Sequence, residues 1–338
     1  MNAPGKIVLY FIVVLFLGAL TAPPLFRGVH SLKESAEARG WITYEVREKP
    51  LKKGDRPPEA GTPREMETKT RGPARWLDAS FAKVANRATL IAALALLWPL
   101  MRSLRLRGAC ELGIDPNPHR IRDFAIGYSV SVCVMFILAV VLLKIGVFTL
   151  RASPSWSELG WVVLSGLGAG FLEEWIFRGA FLGSFRRSLR PWSALAAVSA
   201  IFAFVHFINP REAMEPASIG WGSGFAMLPQ RFQNFSEPSL VFGGFVTLFC
   251  FGWVCGWAVI RTRSLWLGIG FHAGMVLGKF GLNRVAERAD QRSLLPWLGE
   301  DMTVGLLGTG VVILIGGLLW LIFKYVAPPS CEKPVERS

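Results

Sequence analysis

Two adjacent glutamates and an arginine interrupt an apolar stretch of this sequence. Glu173, Glu174 and Arg178 lie within the run Trp161–Phe185. Placing such a charge at the centre of a bilayer costs at least about 3 kcal/mol. An ionisable cluster in a membrane segment therefore indicates a functional site.

The helical phase of these residues assigns them different roles. Residues four apart share a helix face, so Glu174 and Arg178 are predicted to form an ion pair. Glu173 is rotated by about 100° around the helix axis and points elsewhere. A Glu–Arg pair of this kind is most often structural, so we expect Glu173 to be the carboxylate that is free for chemistry.

Two of the four histidines, His206 and His272, also lie in apolar runs. Phe202 precedes His206 by four residues, so its ring is predicted to pack beside the imidazole. If the chain turns near residue 188, Glu173 and His206 lie at similar depths in antiparallel helices. A carboxylate and two imidazoles that converge are suited to activating water. A single histidine in an apolar helix is more often a hydrogen-bonded core residue, so the prediction depends on all three.

The segments that hold these residues are predicted to be membrane helices. Of the 338 residues, 52% are hydrophobic, and several apolar runs approach the 20 or so residues that cross a bilayer. The net charge of +13 comes largely from loop lysines and arginines, which set topology and contact anionic lipid. The expected partner is therefore the lipid bilayer and not nucleic acid. The five cysteines form no Cys-x-x-Cys pair, so neither a disulfide framework nor a thiolate zinc site is expected.

The sequence predicts an all-α, polytopic membrane protein with about eight transmembrane helices. Residues 209–239 are too polar to span and are predicted to form an interfacial or re-entrant loop. Basic junctions after the second, fourth and sixth helices predict that both termini face the cytoplasm. The predicted segments are residues 1–26 as a first transmembrane helix or signal anchor, 27–80 as a largely disordered extramembrane loop with a short strand near 41–46, 81–150 as helices 2 and 3, 156–280 as the catalytic core, 304–326 as the last helix and 327–338 as a tail.

Three short patterns together resemble a known family. They are Glu173-Glu174-x-x-x-Arg178, Phe202-x-x-x-His206 and a His-Ala pair at His272. The combination is similar to the CAAX protease and bacteriocin-processing family of intramembrane proteases, which includes the Ras-converting type of prenyl-protein endopeptidase. The resemblance covers residues 156–280, and Leu112-Gly113-Ile114 is also similar to a family feature.

The resemblance implies an intramembrane endopeptidase whose site lies between helices 4, 5 and 7. Glu173 would activate the attacking water, and His206 and His272 would complete the site. A divalent metal such as zinc on these three residues is one alternative, and a mechanism without a metal is the other. The implied substrate is a membrane protein or a lipidated peptide, and the implied location is a cell membrane, here a bacterial inner membrane.

One position departs from the family pattern. The family often has asparagine four residues after the last histidine, where this chain has Val276, and Asn209 is a candidate replacement for that amide. The departure leaves open a non-catalytic membrane scaffold or immunity factor with the same fold. A proton-coupled transporter would also explain intramembrane Glu and His, but a repeated pair of short, interrupted helices is not evident in the sequence.

Overall fold

The computed structural model describes residues 3–48, 66–70, 77–106, 117–151, 156–208, 218–289, 294, 296–299, 302 and 304–325. Long helices dominate these ranges, and the predicted all-α membrane fold is confirmed. They are α1 (Ala3–Ala38), α2 (Phe81–Ser103), α3 (Arg120–Lys144), α4 (Trp156–Glu174), α5 (Pro191–His206), α6 (Pro238–Thr262), α7 (Trp266–Val285) and α8 (Leu306–Phe323).

Each of the eight predicted apolar runs lies mainly within one of these helices. Five of them, α1, α2, α3, α6 and α8, are long and apolar enough to span a bilayer. The other three helices, α4, α5 and α7, do not meet this criterion, and their sequences explain why. Three carboxylates lie in α4, α5 has 16 residues, and α7 is rich in glycine.

The first helix extends farther than the sequence predicted. Pro23-Pro24 suggested an end near residue 26, but α1 passes through both prolines and ends at Ala38. The added turns have helix-forming residues, and Lys33 forms ion pairs with Glu37 at 3.7 Å and Asp78 at 2.8 Å. The predicted strand lies at Tyr44–Glu48 and pairs antiparallel with Met66–Thr70. The part of the predicted loop at 49–65 and 71–76 lies outside the described residues.

The chain divides into two compact units. The smaller unit comprises Tyr10–Leu96 and Pro210–Arg231, and the larger comprises Met1–Leu9, Leu97–Asn209 and Phe232–Ser338. In the smaller unit, a buried cluster of Ala22, Phe81, Ala82, Ala85, Ala88 and Met227 joins α1 to α2. In the predicted non-spanning segment, the described residues form only a short helix at Ser223–Ala226 and a 3-10 helix at Pro229–Ser236.

In the larger unit, α7 packs against α3 and α4, while α6 packs against α5 and α8. Glycines allow the closest approaches. A side chain at Gly270 would overlap the Phe124 carbonyl oxygen, and one at Gly274 would lie 2.7 Å from the Ser131 Cβ. Small residues at such crossings let membrane helices pack closely.

The chain leaves α-helical geometry directly after Glu174. Residues Trp175–Leu182 form a π-helix, and one α-helical turn at Gly183–Phe185 follows. Side chains from Ile176 to Leu182 are buried. Such segments are rare and often occur at functional sites. Apolar periodicity gave no indication of this element.

Candidate active site

A buried ion pair forms the base of the site. Arg178 Nη1 donates to Glu174 Oε1 at 3.0 Å, and both side chains are almost fully buried. Arg178 Nη2 donates to the Gly252 carbonyl of α6 at 3.1 Å. The pair predicted from spacing is therefore present, and it also ties the α4–π-helix segment to α6.

His272 lies between the two glutamates. Its Nδ1 is 3.1 Å from Glu174 Oε1, and its Nε2 is 3.8 Å from Glu173 Oε2. Because Glu174 is the carboxylate partner of Arg178, it accepts, and the proton of the neutral ring lies on Nδ1. Nε2 then presents a lone pair toward Glu173.

His206 is oriented in the same way by its own helix. Its Nδ1 is 2.8 Å from the Phe202 carbonyl oxygen, one turn earlier in α5. A carbonyl only accepts, so Nδ1 carries the proton and Nε2 is unprotonated in the neutral ring. That Nε2 lies 3.5 Å from Glu173 Oε2.

Glu173 is the point where these groups converge. Its Oε2 is shielded from solvent and makes no hydrogen bond to the residues that the structure describes. The Glu173 side chain as a whole is 32% exposed, against 0% for Glu174. One carboxylate oxygen and two imidazole nitrogens thus face a common space with their lone pairs, which suits a hydrogen-bond donor such as water or a cation.

Aromatic rings surround the polar groups. The Phe202 ring lies 4.4 Å from Arg178 Cζ and 4.3 Å from the His206 ring. Phe251 of α6 stacks on Phe202 and meets the His272 ring edge to face at 4.9 Å. The predicted contact of Phe202 with His206 is present, and the rings provide an apolar wall that strengthens electrostatic interactions inside the site.

The comparison with protein families covers the segment that holds this geometry. Residues 154–278 match the family described as Type II CAAX prenyl endopeptidase Rce1-like. The match covers less than half of the length of the chain. The Rce1-like segment contains α4, α5, α6 and most of α7, and it confirms the resemblance seen in the motifs. Comparisons with curated proteins and with solved structures each found no significant match.

The match to the Rce1-like family supports a CAAX-protease-like peptidase, and the apolar helices support a multi-pass membrane protein. The predicted site residues Glu173, His206 and His272 lie in α4, α5 and α7. Glu173, His206 and His272 offer one oxygen and two nitrogens, which is a donor set that zinc accepts. The unpartnered Oε2 of Glu173 leaves room for water, but among the described residues the group whose donor atoms all lie within 4.8 Å of one another is Glu174, Cys255 and His272.

The structure also shows a neighbour that the sequence did not indicate. Cys255 of α6 is fully buried, and its sulfur lies within 4.8 Å of donor atoms of Glu174 and His272. Its only sequence signal was its place in an apolar run, where cysteine normally acts as a small hydrophobe.

Two predicted supporting positions have different outcomes. Asn209 lies outside the described residues, as do Leu112-Gly113-Ile114. Val276, where the family often has asparagine, faces α4: its Cγ1 is 3.1 Å from the place a Cβ of Gly166 would occupy. The valine therefore fills a helix contact.

Proposed function

We propose that this chain is an intramembrane endopeptidase that hydrolyses a peptide bond of a membrane-associated protein or lipidated peptide. The observation that carries the proposal is the convergence of Glu173 Oε2 with the Nε2 atoms of His206 and His272, at 3.5 and 3.8 Å. The family match of residues 154–278 supports the same reaction class.

In this proposal, Glu173 is the general base. Water bound between Glu173 and the two imidazoles loses a proton to Glu173, and its oxygen attacks the scissile carbonyl carbon. A tetrahedral intermediate forms, and it collapses as Glu173 passes the proton to the leaving amide nitrogen. The products are a new carboxyl terminus and a new amino terminus.

The remaining side chains keep these groups in position. The unprotonated Nε2 atoms of His206 and His272 are the acceptors available for the second proton of the bound water. Glu174 and the Phe202 carbonyl fix which nitrogen of each ring carries the proton. Zinc on Glu173, His206 and His272 would additionally polarise the scissile carbonyl. The proposed location is a bacterial inner membrane, which the multi-pass helices support at the level of a membrane.

The test compares membrane proteomes of a strain that lacks this protein and carries wild type, Glu173→Gln or Glu158→Gln. Glu158 is the matched control because it lies in the same helix and pairs with Arg284 at 3.0 Å, away from the catalytic group. New protein termini should appear with wild type and Glu158→Gln and be absent with Glu173→Gln. Full rescue of the deletion phenotype by Glu173→Gln, with the same termini throughout, would contradict the proposal and favour a scaffold.

A further inference from the structure

A second group of metal-binding side chains lies beside the proposed catalytic group, and it includes a cysteine. Glu174, Cys255 and His272 each place one donor atom within 4.8 Å of the others. They come from α4, α6 and α7, and their exposed fractions are 0%, 0% and 5%. A carboxylate, a thiolate and an imidazole are ligands that Zn²⁺ and Cd²⁺ accept, and the soft sulfur favours thiophilic ions over Mg²⁺ or Ca²⁺.

An independent observation points to a ligand at this place. Glu174 Oε2 is buried and makes no hydrogen bond to any residue that the structure describes. Leaving such an oxygen unsatisfied costs free energy, which a bound cation would recover. Gly268 borders the space: a Cβ there would lie 3.2 Å from Glu174 Oε2 and 3.6 Å from the Cys255 carbonyl oxygen. A glycine at that position leaves the carboxylate oxygen room for a ligand.

We infer that Glu174, Cys255 and His272 form a binding site for a thiophilic divalent cation. Binding replaces the thiol proton of Cys255 with the cation, so the cluster gains one positive charge. Arg178 opposes this gain because it already lies 3.0 Å from Glu174 Oε1. The Glu173 carboxylate, 3.8 Å from His272 Nε2, supplies a compensating negative charge.

The cation also changes His272. The ring nitrogen beside Glu174 is Nδ1, at 3.1 Å, and it carries the proton in the cation-free site. A cation takes the lone pair of that nitrogen, so the ring proton moves to Nε2, which faces Glu173. Nε2 then donates where the proposed reaction needs an acceptor. The bound cation therefore inhibits peptide hydrolysis, a consequence that rests on the proposed function, whereas cation binding does not.

The binding test is a Cd²⁺ titration of the full-length protein in detergent after treatment with a chelator. Cadmium bound to a thiolate gives a charge-transfer band in the ultraviolet. Cys250→Ser is the matched control, because Cys250 is a half-buried cysteine of the same helix. The band should saturate at one cadmium per chain in wild type and Cys250→Ser. Cys255→Ser and Cys255→Ala should lose at least about tenfold in affinity, since even outer-shell partners of a metal contribute that much.

An equal band in the two Cys255 variants, or no band in wild type, would overturn the cation site. Thermal unfolding of each variant checks that it is folded, and the two replacements of Cys255 guard against the failure of one. Added Cd²⁺ should also inhibit cleavage by wild type and Cys250→Ser more strongly than cleavage by Cys255→Ser, each compared with its own rate without cadmium. Cadmium binding by a wild-type protein that cleaves neither without metal nor with zinc would count against the proposed function and leave the cation site standing.

Discussion

At the scale of single residues, two neighbouring glutamates have opposite surroundings. Glu174 is buried and contacts both Arg178 and His272, at 3.0 and 3.1 Å. Glu173 is 32% exposed and faces the imidazole nitrogens that lack a proton. Because adjacent helix positions are about 100° apart, one carboxylate can hold the helices together while the other meets water.

We expect Glu174→Gln to lower the free energy of unfolding by about 3–5 kcal/mol, because it leaves the Arg178 charge buried without its partner. Glu173→Gln should change it by less than about 1 kcal/mol, since that side chain is partly exposed and makes few contacts. Unfolding of both variants in detergent, followed by heat or denaturant, measures the difference. Equal losses in the two variants would show that the assigned division of roles is wrong.

Contacts within one helix could be predicted from spacing, whereas contacts between helices could not. Glu174–Arg178 and Phe202–His206 are both four residues apart, and both contacts are present. The Gly252 carbonyl and Cys255 belong to a helix whose rotation about its own axis is set by packing. An apolar run indicates that a helix is present, but it gives little information about which side of that helix faces a neighbouring helix.

At the scale of elements, glycines on α7 determine how closely its neighbours approach. A methyl group at Gly270 would overlap the backbone of Phe124 and lie 3.0 Å from the Tyr128 nitrogen. A methyl group at Gly168 of α4 would meet no atom within 4 Å. The two positions therefore form a matched pair for one substitution.

Gly270→Ala should destabilise the protein by at least about 1–3 kcal/mol, the usual cost of overpacking, because backbone rather than a flexible side chain must move. Gly168→Ala should be neutral or stabilise by up to about 1 kcal/mol through helix propensity. Thermal unfolding in detergent compares the two variants with wild type. A loss of stability at Gly168 that matches the loss at Gly270 would exclude close packing as the cause.

Helix positions were predicted well from the sequence, but their internal geometry was not. The π-helix Trp175–Leu182 differs from an α-helix in its hydrogen-bond spacing, and both geometries bury similar apolar residues. The prolines at 23 and 24 suggested a stop, yet α1 continues because its apolar side packs in the cluster around Ala22 and Phe81. Tertiary packing decided both cases.

At the scale of the whole molecule, basic residues join helix ends within the larger unit. Arg187 donates to the carbonyls of Leu104 and Arg105 at 3.0 and 3.1 Å, and Arg261 donates to Phe323 at 2.9 Å. Strand pairing of Phe148–Leu150 with Ala286–Arg288 joins the C-terminal ends of α3 and α7. These contacts agree with the predicted topology, in which the first set of ends is cytoplasmic and the second is outside.

A cysteine placed at Ser188 should react with an impermeant thiol reagent only after the inner membrane is permeabilised, because positive residues favour the cytoplasmic side. A cysteine at Leu150, which is 66% exposed, is the control and should react in intact spheroplasts. Both are made in a variant whose native cysteines are replaced by serine. Labelling of Ser188→Cys in intact spheroplasts would reverse the proposed orientation.

The contacts of Arg178 and Glu174 also bear on the order in which the helices assemble during synthesis. Arg178 binds the carbonyl of Gly252, and Glu174 binds His272, which are 74 and 98 residues farther along the chain. A ribosome therefore delivers the charged helix to the membrane well before its later partners exist. Until then, the ion pair between Glu174 and Arg178 is the interaction that offsets the cost of placing these two charges in the membrane. We therefore expect stable insertion of α4 to depend on the emergence of α6 and α7, so that the residues that position the reacting groups also govern the order of assembly.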